Sequence, residues 1–284
     1  MEGTRVMHIV RFADSDATVH CGLLVDGVIR VLEQDRIADL LALSLAELRV
    51  LAEEPAATPV AAADVTLLPP LDGRMEVWAA GVTYHRSREA RMEESAERSV
   101  YEKVYDAPRP ELFFKAVPWR VVTDGDAVRV RPDSSLTVPE PELGLVVNAH
   151  AEIVGYLVVD DVSSRSIEGE NPLYLPQAKV YEGSCAVSAG IRPVWEVPDV
   201  KALEIAMTIT RGDEIAFKAA ISTASLHRPV SELVSCLFDG QPYPEGAVLA
   251  TGTGIVPGMD FTLTPGDVVD IDIAGVGRLV TPVR

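Results

Sequence analysis

The chain has 284 residues, of which 48% are hydrophobic and 24% charged, a composition that excludes intrinsic disorder and allows one large or two smaller domains. Its formal net charge of −18 argues against a nucleic-acid partner, because a protein that binds a polyanion needs a basic face. The sequence contains no apolar run of about 18 residues, and acidic residues interrupt its N-terminal stretch before any signal-peptide core. We therefore expect a cytoplasmic protein that binds neither nucleic acid nor membrane.

The first predicted unit comprises residues 1–72. Residues 6–32 alternate short β-like runs with turn residues, which indicates hairpins. Residues 37–54 place apolar side chains at helical spacing without Gly or Pro, which predicts one or two helices. Residues 53–73 contain four prolines and many alanines, a composition typical of a linker. We therefore predict a small N-terminal α/β domain that ends near residue 72.

The second predicted unit, residues 73–284, is mostly β. A strand is expected at 76–84, a highly charged helix at 85–106 and one further helix at 230–238. Short apolar runs with Pro and Gly between them predict strands at 111–117, 127–131, 143–149, 152–161, 202–211, 214–222, 247–252 and 267–275. So many short strands favour a β-roll, barrel or sandwich, and the whole chain is predicted to be α+β.

Two glutamates stand one residue apart in the stretch VPEPELGLVV (138–147). Side chains at i and i+2 of a strand point to the same face, so Glu140 and Glu142 are expected to converge. The next apolar strand ends in Asp160 and Asp161. If the two strands are neighbours, these hard oxygen ligands suit Mg²⁺ or Mn²⁺. The alternative is a pair of glutamates at the rim of the sheet and a solvated Asp–Asp turn.

Two lysines lie in apolar surroundings, Lys115 after ELFF and Lys179 in PLYLPQAKVYEG. A desolvated lysine can act as a base or keep its charge beside carboxylates. The more common alternative is a lysine that buries its stem and keeps its ammonium in water. Glu111, four residues before Lys115, is either a positioned acid or a surface carboxylate.

Weaker signals come from two glycine turns and three cysteines. Arg88 follows the turn at Gly81, where an anionic substrate could meet a helix N-terminus. The turn TGTGIVPG (251–258) could hold a carboxylate through its amides and hydroxyls, but it matches neither a phosphate-binding loop nor a dinucleotide fingerprint. The three cysteines match no zinc or disulfide spacing, and we expect reduced thiols at Cys21, Cys185 and Cys236.

Several motifs together resemble the fumarylacetoacetate hydrolase family, from about residue 72 to the C-terminus. They occur in the family's order: GVTY, RPELFFKA, PEPELGLVV, GYLVVDDVSSR, QAKVYEGSCA, LATGTGIVPG and PGDVVDIDIAGVGRLVTPV. Residues 6–32 look like the N-terminal domain of bacterial members. The resemblance implies a mixed β-roll and a homodimer or higher homo-oligomer. It also implies a Mg²⁺ ion, with Mn²⁺ or Ca²⁺ as alternatives, bound by Glu140, Glu142 and Asp161.

Within that family, residues 101–116 and 170–183 resemble the branch that dehydrates 2-keto-3-deoxy sugar acids. This resemblance implies that the protein converts 2-keto-3-deoxy-D-arabinonate to 2,5-dioxopentanoate through a metal-stabilised enolate. Lys179 and Glu111 are then the expected catalytic residues. The expected substrate contacts are Ser87, Arg88 and Thr253.

One departure from the family pattern bears on the reaction. Hydrolytic members carry N-Y-x-x-H-x-x-E after the glycine turn, and their histidine activates water. Here Ser87 stands where that histidine would be and Ala90 where the glutamate would be, which argues against hydrolysis. Two alternatives remain: an acylpyruvate hydrolase or oxaloacetate-type decarboxylase on the same fold, and a catalytically silent member that only binds a metabolite.

Overall fold

The computed structural model describes residues 6–53, 59–94 and 103–284. The hairpins predicted at 6–32 are confirmed, and residues 37–54 form two helices. A capping box explains the second helix start, because Glu47 N donates to Ser44 Oγ (3.3 Å) and Ser44 N donates to Glu47 Oε2 (2.9 Å). The elements of this part are β1 (Met7–Ala13), β2 (Val19–Val25), β3 (Val28–Val31), α1 (Ile37–Leu41), α2 (Leu45–Glu53), β4 (Pro59–Ala61) and β5 (Thr66–Leu68).

The linker predicted at 53–73 is wrong where the structure describes it, and its residues 54–58 lie outside the described ranges. Strand β4 pairs with β3 and β5 pairs with β1, so the short Val- and Leu-containing runs between the prolines complete a sheet. The domain boundary at residue 72 stays a prediction. Backbone pairing crosses it, since Ile9 of β1 lies opposite Ile191.

The rest of the described part contains thirteen strands, four α-helices and a helical turn at 103–105. The helices are α3 (His85–Glu94), α4 (Arg165–Glu170), α5 (Leu175–Lys179) and α6 (Val230–Gly240). The strands are β6 (Glu76–Gly81), β7 (Glu111–Ala116), β8 (Thr137–Val138), β9 (Pro141–Val147), β10 (Ile153–Asp161), β11 (Ser163–Ser164), β12 (Cys185–Val187), β13 (Gly190–Pro193), β14 (Glu204–Arg211), β15 (Glu214–Ser222), β16 (Ala247–Ala250), β17 (Asp267–Ile273) and β18 (Gly277–Pro282).

A mixed sheet forms the centre of the molecule, with strand order β4-β3-β2-β1-β13-β10-β9-β16-β6-β7; β12 also pairs with β10, and β5 with β1. Its one parallel pair among the described strands is β16–β6. A four-stranded antiparallel sheet, β15-β14-β17-β18, lies apart from it in the pairing. This mostly β architecture with few helices confirms the α+β prediction.

Strands β9 and β10 are buried on both faces. One face packs against the four-stranded sheet and α6, through side chains such as Leu145, Met207 and Leu233. The other face packs against the N-terminal part, where Val146 belongs to the same cluster as Ile9. Double burial explains why these strands read as continuous apolar runs instead of alternating with polar residues.

Three predictions of secondary structure need correction or stay partly open. Residues 127–131 form no strand, because Val128 makes only an isolated bridge to Val283 while Arg129 N turns to Gly183 O (3.0 Å). Helices α4 and α5 were not expected; each is about one turn of mixed polarity, too short for a periodic signal. The helix expected at 85–106 is present at 85–94, and 95–102 lie outside the described ranges.

Within the part of the chain given above, no helix combines the length and apolar composition that crossing a membrane requires.

Candidate active site

The paired glutamates meet the end of the neighbouring strand. Strands β9 and β10 are antiparallel, with Glu142 opposite Val159, and Asp161 N donates to Glu140 O (3.0 Å). One carboxylate oxygen from each of Glu140, Glu142 and Asp161 lies within 4.8 Å of the others, and all three side chains are buried. We call these three residues the acidic triad. Among the described residues it is the one His/Cys/Asp/Glu group whose geometry suits a metal ion.

The three buried carboxyl groups of the triad lie so close together that the negative charge of one makes ionisation of another less favourable. Burial, followed by the nearby Asp161 and Glu140 carboxylates, raises the pKa of Glu142 well above its usual value. A backbone amide opposes this effect, because Gly252 N donates to Glu142 Oε2 (2.6 Å). The arrangement therefore favours a positive group among the three carboxylates.

Asp160 lies behind the triad rather than in it. Its Oδ1 accepts a hydrogen bond from Glu140 N (3.1 Å), and burial raises the pKa of its carboxyl to about 7. Asp160 and Asp161 are both fully buried, so the alternative of a solvated Asp–Asp turn is wrong. The two aspartates have separate tasks: Asp161 faces the glutamates, and Asp160 holds the backbone at the entrance of β9.

Lys179, at the end of α5, supplies positive charge to the triad. Its Nζ donates to Glu140 Oε2 (2.8 Å), to Asp161 Oδ2 (3.0 Å) and to Ser163 Oγ (2.6 Å). The second Glu140 oxygen accepts from Arg165 of α4 (2.8 Å). The expectation of an ammonium in water is wrong here, because these acceptors replace its hydration.

Lys115 of β7 is also buried, against the same expectation. Its Nζ lies 2.5 Å from Asp161 Oδ1 and donates to the carbonyls of Val162 (3.1 Å) and Lys179 (2.6 Å). Lys115 therefore lies beside a carboxylate, one of the alternatives that the sequence left open, whereas Arg165 was missed by the sequence reasoning. The apolar flanks of Lys115 were a signal of burial, but its partners lie 46 or more positions away along the chain.

A pocket opens in front of the triad, and most predicted site residues line it. Glu111, Ser87, Thr253 and Lys179 are among its walls, whereas Arg88 is not; the Arg88 guanidinium lies over the ring of Tyr105 (5.0 Å to the centroid). A further carboxylate, missed from the sequence, comes from α4. The other lining residues are Ala80, Gly81, Val82, Phe113, Glu168 and Leu175.

The turn after β6 is shaped around Glu111. A Cβ atom built on Gly81 would lie 2.2 Å from Glu111 Oε2, so the carboxylate occupies the space that a side chain would fill. The next residue, Val82, has φ +53°, a left-handed conformation that is unfavourable for a β-branched residue. Such backbone strain persists where the surrounding structure fixes it, often at functional sites.

Comparison with known proteins identifies the family. Residues 76–284 match the model of the fumarylacetoacetate (FAA) hydrolase C-terminal domain, and residues 7–70 match the Rv2993c-like N-terminal model. The chain belongs to the fumarylacetoacetate hydrolase family.

Similar members of the fumarylacetoacetate hydrolase family are named as dehydratases. A 2-dehydro-3-deoxy-D-arabinonate dehydratase of Saccharolobus solfataricus is 43% identical over 78% of this chain and 75% of its own. A probable 2-keto-3-deoxyxylonate dehydratase of Haloferax volcanii is 52% identical over 74% of this chain and 72% of its own. A solved structure of 2-keto-3-deoxy-D-arabinonate dehydratase complexed with magnesium and 2,5-dioxopentanoate is 34% identical, with TM-score 0.83 and 99% of each chain covered.

Proposed function

We propose that this chain is a Mg²⁺-dependent hydro-lyase that converts 2-keto-3-deoxy-D-arabinonate to 2,5-dioxopentanoate. The observation that carries the proposal is a buried acidic triad that opens into a pocket holding an amine, Lys179, and a separate carboxylate, Glu111. The names of the relatives support it: they are dehydratases of 2-keto-3-deoxy sugar acids, and one of them is complexed with magnesium and this product.

The triad fits a divalent cation by the chemistry of its donors. Three buried carboxylates offer hard oxygen ligands, and the raised pKa of Glu142 reflects negative charge that a cation would offset. Glu140, Glu142 and Asp161 would hold Mg²⁺, and the same donors accept Mn²⁺ or Ca²⁺. When bound, the ion supplies Lewis-acid stabilisation of negative charge on the keto oxygen of the substrate.

The residues around the triad transfer the protons that the elimination of water requires. Lys179 manages the C3 proton: its ammonium, which donates to Glu140, Asp161 and Ser163, first passes one proton to a neighbouring carboxylate, and the resulting amine takes the proton from C3. Glu111 protonates the C4 hydroxyl as the C4–O bond breaks, so one water leaves and a C3=C4 double bond forms. Moving a proton from C5 to C3, and then the O5 proton to C4, gives the aldehyde. Ser87 and Thr253 contact substrate oxygens from the walls; the same role for Arg88 would need its guanidinium to leave Tyr105.

The pocket disfavours hydrolysis. Among the described residues that line it there is no histidine, and Ser87 occupies a wall position where hydrolytic members carry the residue that activates water. A hydroxyl without a basic partner is a poor base for water at neutral pH. The presence of Lys179 and Glu111 in the same pocket as the triad favours catalysis over a silent binding protein, and Mg²⁺-dependent turnover would distinguish the two.

Proton NMR of the purified protein with Mg²⁺ and synthetic 2-keto-3-deoxy-D-arabinonate tests the proposal. We expect an aldehyde signal from 2,5-dioxopentanoate, lost after addition of EDTA. Release of pyruvate from a panel of 2,4-diketo acids, with the sugar acid unchanged, would instead establish the hydrolytic alternative. The homo-oligomer and the cytoplasmic location stay predictions, and light scattering of the purified protein tests the first.

A further inference from the structure

Three segments meet beside the pocket, outside the acidic triad. Tyr105 stacks on His227 with ring centroids 4.1 Å apart and an angle of 16° between the ring planes. The rings of Tyr105 and His85 form a T-shaped pair (centroids 6.2 Å apart), and the Arg88 guanidinium lies over the Tyr105 ring (5.0 Å to the centroid). A backbone bond joins the segments as well, because His227 N donates to Thr83 O (2.9 Å). The turn before α3, residues 103–107 and the loop before α6 are therefore packed as one unit.

Arg228, two residues before α6, binds the segment that carries Tyr105. One guanidinium nitrogen donates to the carbonyls of Ala107 (2.5 Å), Tyr105 (3.4 Å) and Val104 (3.5 Å), and another donates to Glu232 (2.6 Å). The carbonyls lie at and just after the helical turn 103–105, where the last carbonyls of a helix need hydrogen-bond donors from outside it. The planar guanidinium is suited to several acceptors at once, and this one is buried.

A stiff connection leads from these carbonyls to the pocket. Ala107 is followed by Pro108, Arg109 and Pro110, and then by Glu111. Two of the three connecting residues have a fixed φ, and the residue before a proline is restricted to extended conformations. The position of Ala107 therefore determines where β7 begins, and Glu111 is the first residue of that strand.

We propose that Arg228 is a positioning residue for Glu111. By holding the carbonyls of Val104, Tyr105 and Ala107, it fixes the start of β7 so that the Glu111 carboxylate stays against Gly81 in the pocket. The inference rests on the proposed function, in which Glu111 protonates the leaving hydroxyl, and it assigns to that reaction a residue that does not line the pocket.

A double-mutant cycle tests the proposal. We expect R228A to lower kcat about 10- to 100-fold, the cost of misplacing a catalytic group by about 1 Å, while KM for the keto acid stays within about twofold because ground-state contacts are retained. In an E111Q background R228A should cause no further loss, since effects that act through one residue are not additive. Millimolar guanidinium should partly restore kcat of R228A but not of R228A/E111Q.

The matched control is R211A. Arg211 likewise binds a carboxylate, Asp267 (2.8 Å), and a backbone carbonyl, Thr262 (2.9 Å), but at the end of β14 in the other sheet. We expect it to leave kcat unchanged. Equal losses of kcat from R228A in both backgrounds, or an R228A enzyme with normal kcat, would overturn the proposal. Should R228A not fold, R228K keeps the charge with fewer donors and enters the same cycle.

Hydrogen exchange followed by mass spectrometry separates this inference from the proposed function. Peptides covering 108–114 should exchange faster in R228A than in wild type or R211A, whatever reaction the enzyme catalyses. A wild-type protein with no dehydratase activity would overturn the proposed function, and the exchange rates would still decide whether Arg228 fixes this segment. Unchanged exchange in R228A would refute the positioning role.

Discussion

Three cations surround the acidic triad: Lys179 and Arg165 contact Glu140, and Lys115 contacts Asp161. Removing one partner of such a buried set leaves an uncompensated charge, which costs about 3–5 kcal/mol. The network therefore explains how three carboxylates stay folded together before any ion binds. Within the described ranges Glu142 accepts one hydrogen bond, from the backbone amide of Gly252, and contacts none of the three cations, so its charge is the least compensated of the three.

The first prediction for a single residue concerns Gly81, because the Glu111 carboxylate occupies the place of its missing side chain. Gly81→Ala should lower kcat about tenfold or more, because its Cβ would displace the Glu111 carboxylate. Gly81 does not have a positive φ, so alanine brings no backbone strain and the fold should persist. Steady-state kinetics and a thermal melt measure the two effects.

Gly240→Ala is the control for that variant. Gly240 ends α6, has no positive φ, and a Cβ there would meet no atom within 4 Å. It should leave kcat and Tm unchanged. A Gly81→Ala enzyme with wild-type kcat would show that the exact place of Glu111 is unimportant.

At the scale of elements, antiparallel pairing of β9 and β10 builds the site. The period of two residues along a strand was enough to predict that Glu140 and Glu142 converge, and the apolar run ending in Asp160 and Asp161 predicted that a third carboxylate joins them. Which carboxylate of the Asp–Asp pair joins them depends on register, and the sequence alone does not fix the register. The partner of Lys115 could not be predicted and Arg165 was missed for a related reason, since β7 and α4 reach the triad only through tertiary packing.

His8 gives a pH prediction for the junction of β1 with the β17–β18 hairpin. Its Nε2 lies 2.8 Å from Val276 O, and burial lowers the pKa of His8 below the usual 6.5, with a smaller contribution from nearby Arg192. The unfolded chain then binds a proton at higher pH than the folded one. Stability should be fully present above 6.5 and fall as the pH decreases below it.

Thermal melts between about pH 7.5 and pH 5.5 measure this effect. His8→Gln should have a flatter profile than wild type over that range, because glutamine does not titrate. His150→Gln, at an exposed position, should keep the wild-type slope. Parallel profiles for His8→Gln and wild type would remove His8 as the cause.

At the scale of the whole molecule, a bound ion should stabilise the fold. A ligand that binds only the folded state adds about 3 kcal/mol at a hundredfold excess over its Kd, so Mg²⁺ should raise Tm and EDTA should reverse the rise. Glu142→Gln should abolish both this rise and turnover. Without metal it should be at least as stable as wild type at pH 8, because a folded-state pKa above the unfolded value makes ionised Glu142 destabilising there.

Glu214→Gln serves as the control, because Glu214 is exposed on β15 and far from the triad in the pairing. Its Tm should rise with Mg²⁺ as in wild type. An equal rise in Glu142→Gln would place the ion elsewhere. Differential scanning fluorimetry with and without Mg²⁺ is sufficient for all three proteins.

The mostly β character of the molecule could be predicted because most strands are apolar runs between Pro and Gly. The arrangement of the strands could not: β6 and β16 are parallel neighbours although about 170 residues separate them, and such pairings depend on the shape of the complete core. The motif resemblance carried that information, since it implied a fold in which the distant segments are already assembled.

The walls of the pocket come from separate places in the chain, while the triad comes from two neighbouring strands buried on both faces and the residue that precedes the first of them. Ser87, Glu168 and Leu175 belong to three helices, of which α3 follows β6 and the other two follow β11 in succession. A protein engineer can therefore vary these three positions in a library without touching the strands that position the acidic triad. Such a library should yield enzymes that accept sugar acids of other lengths while the elimination chemistry is kept.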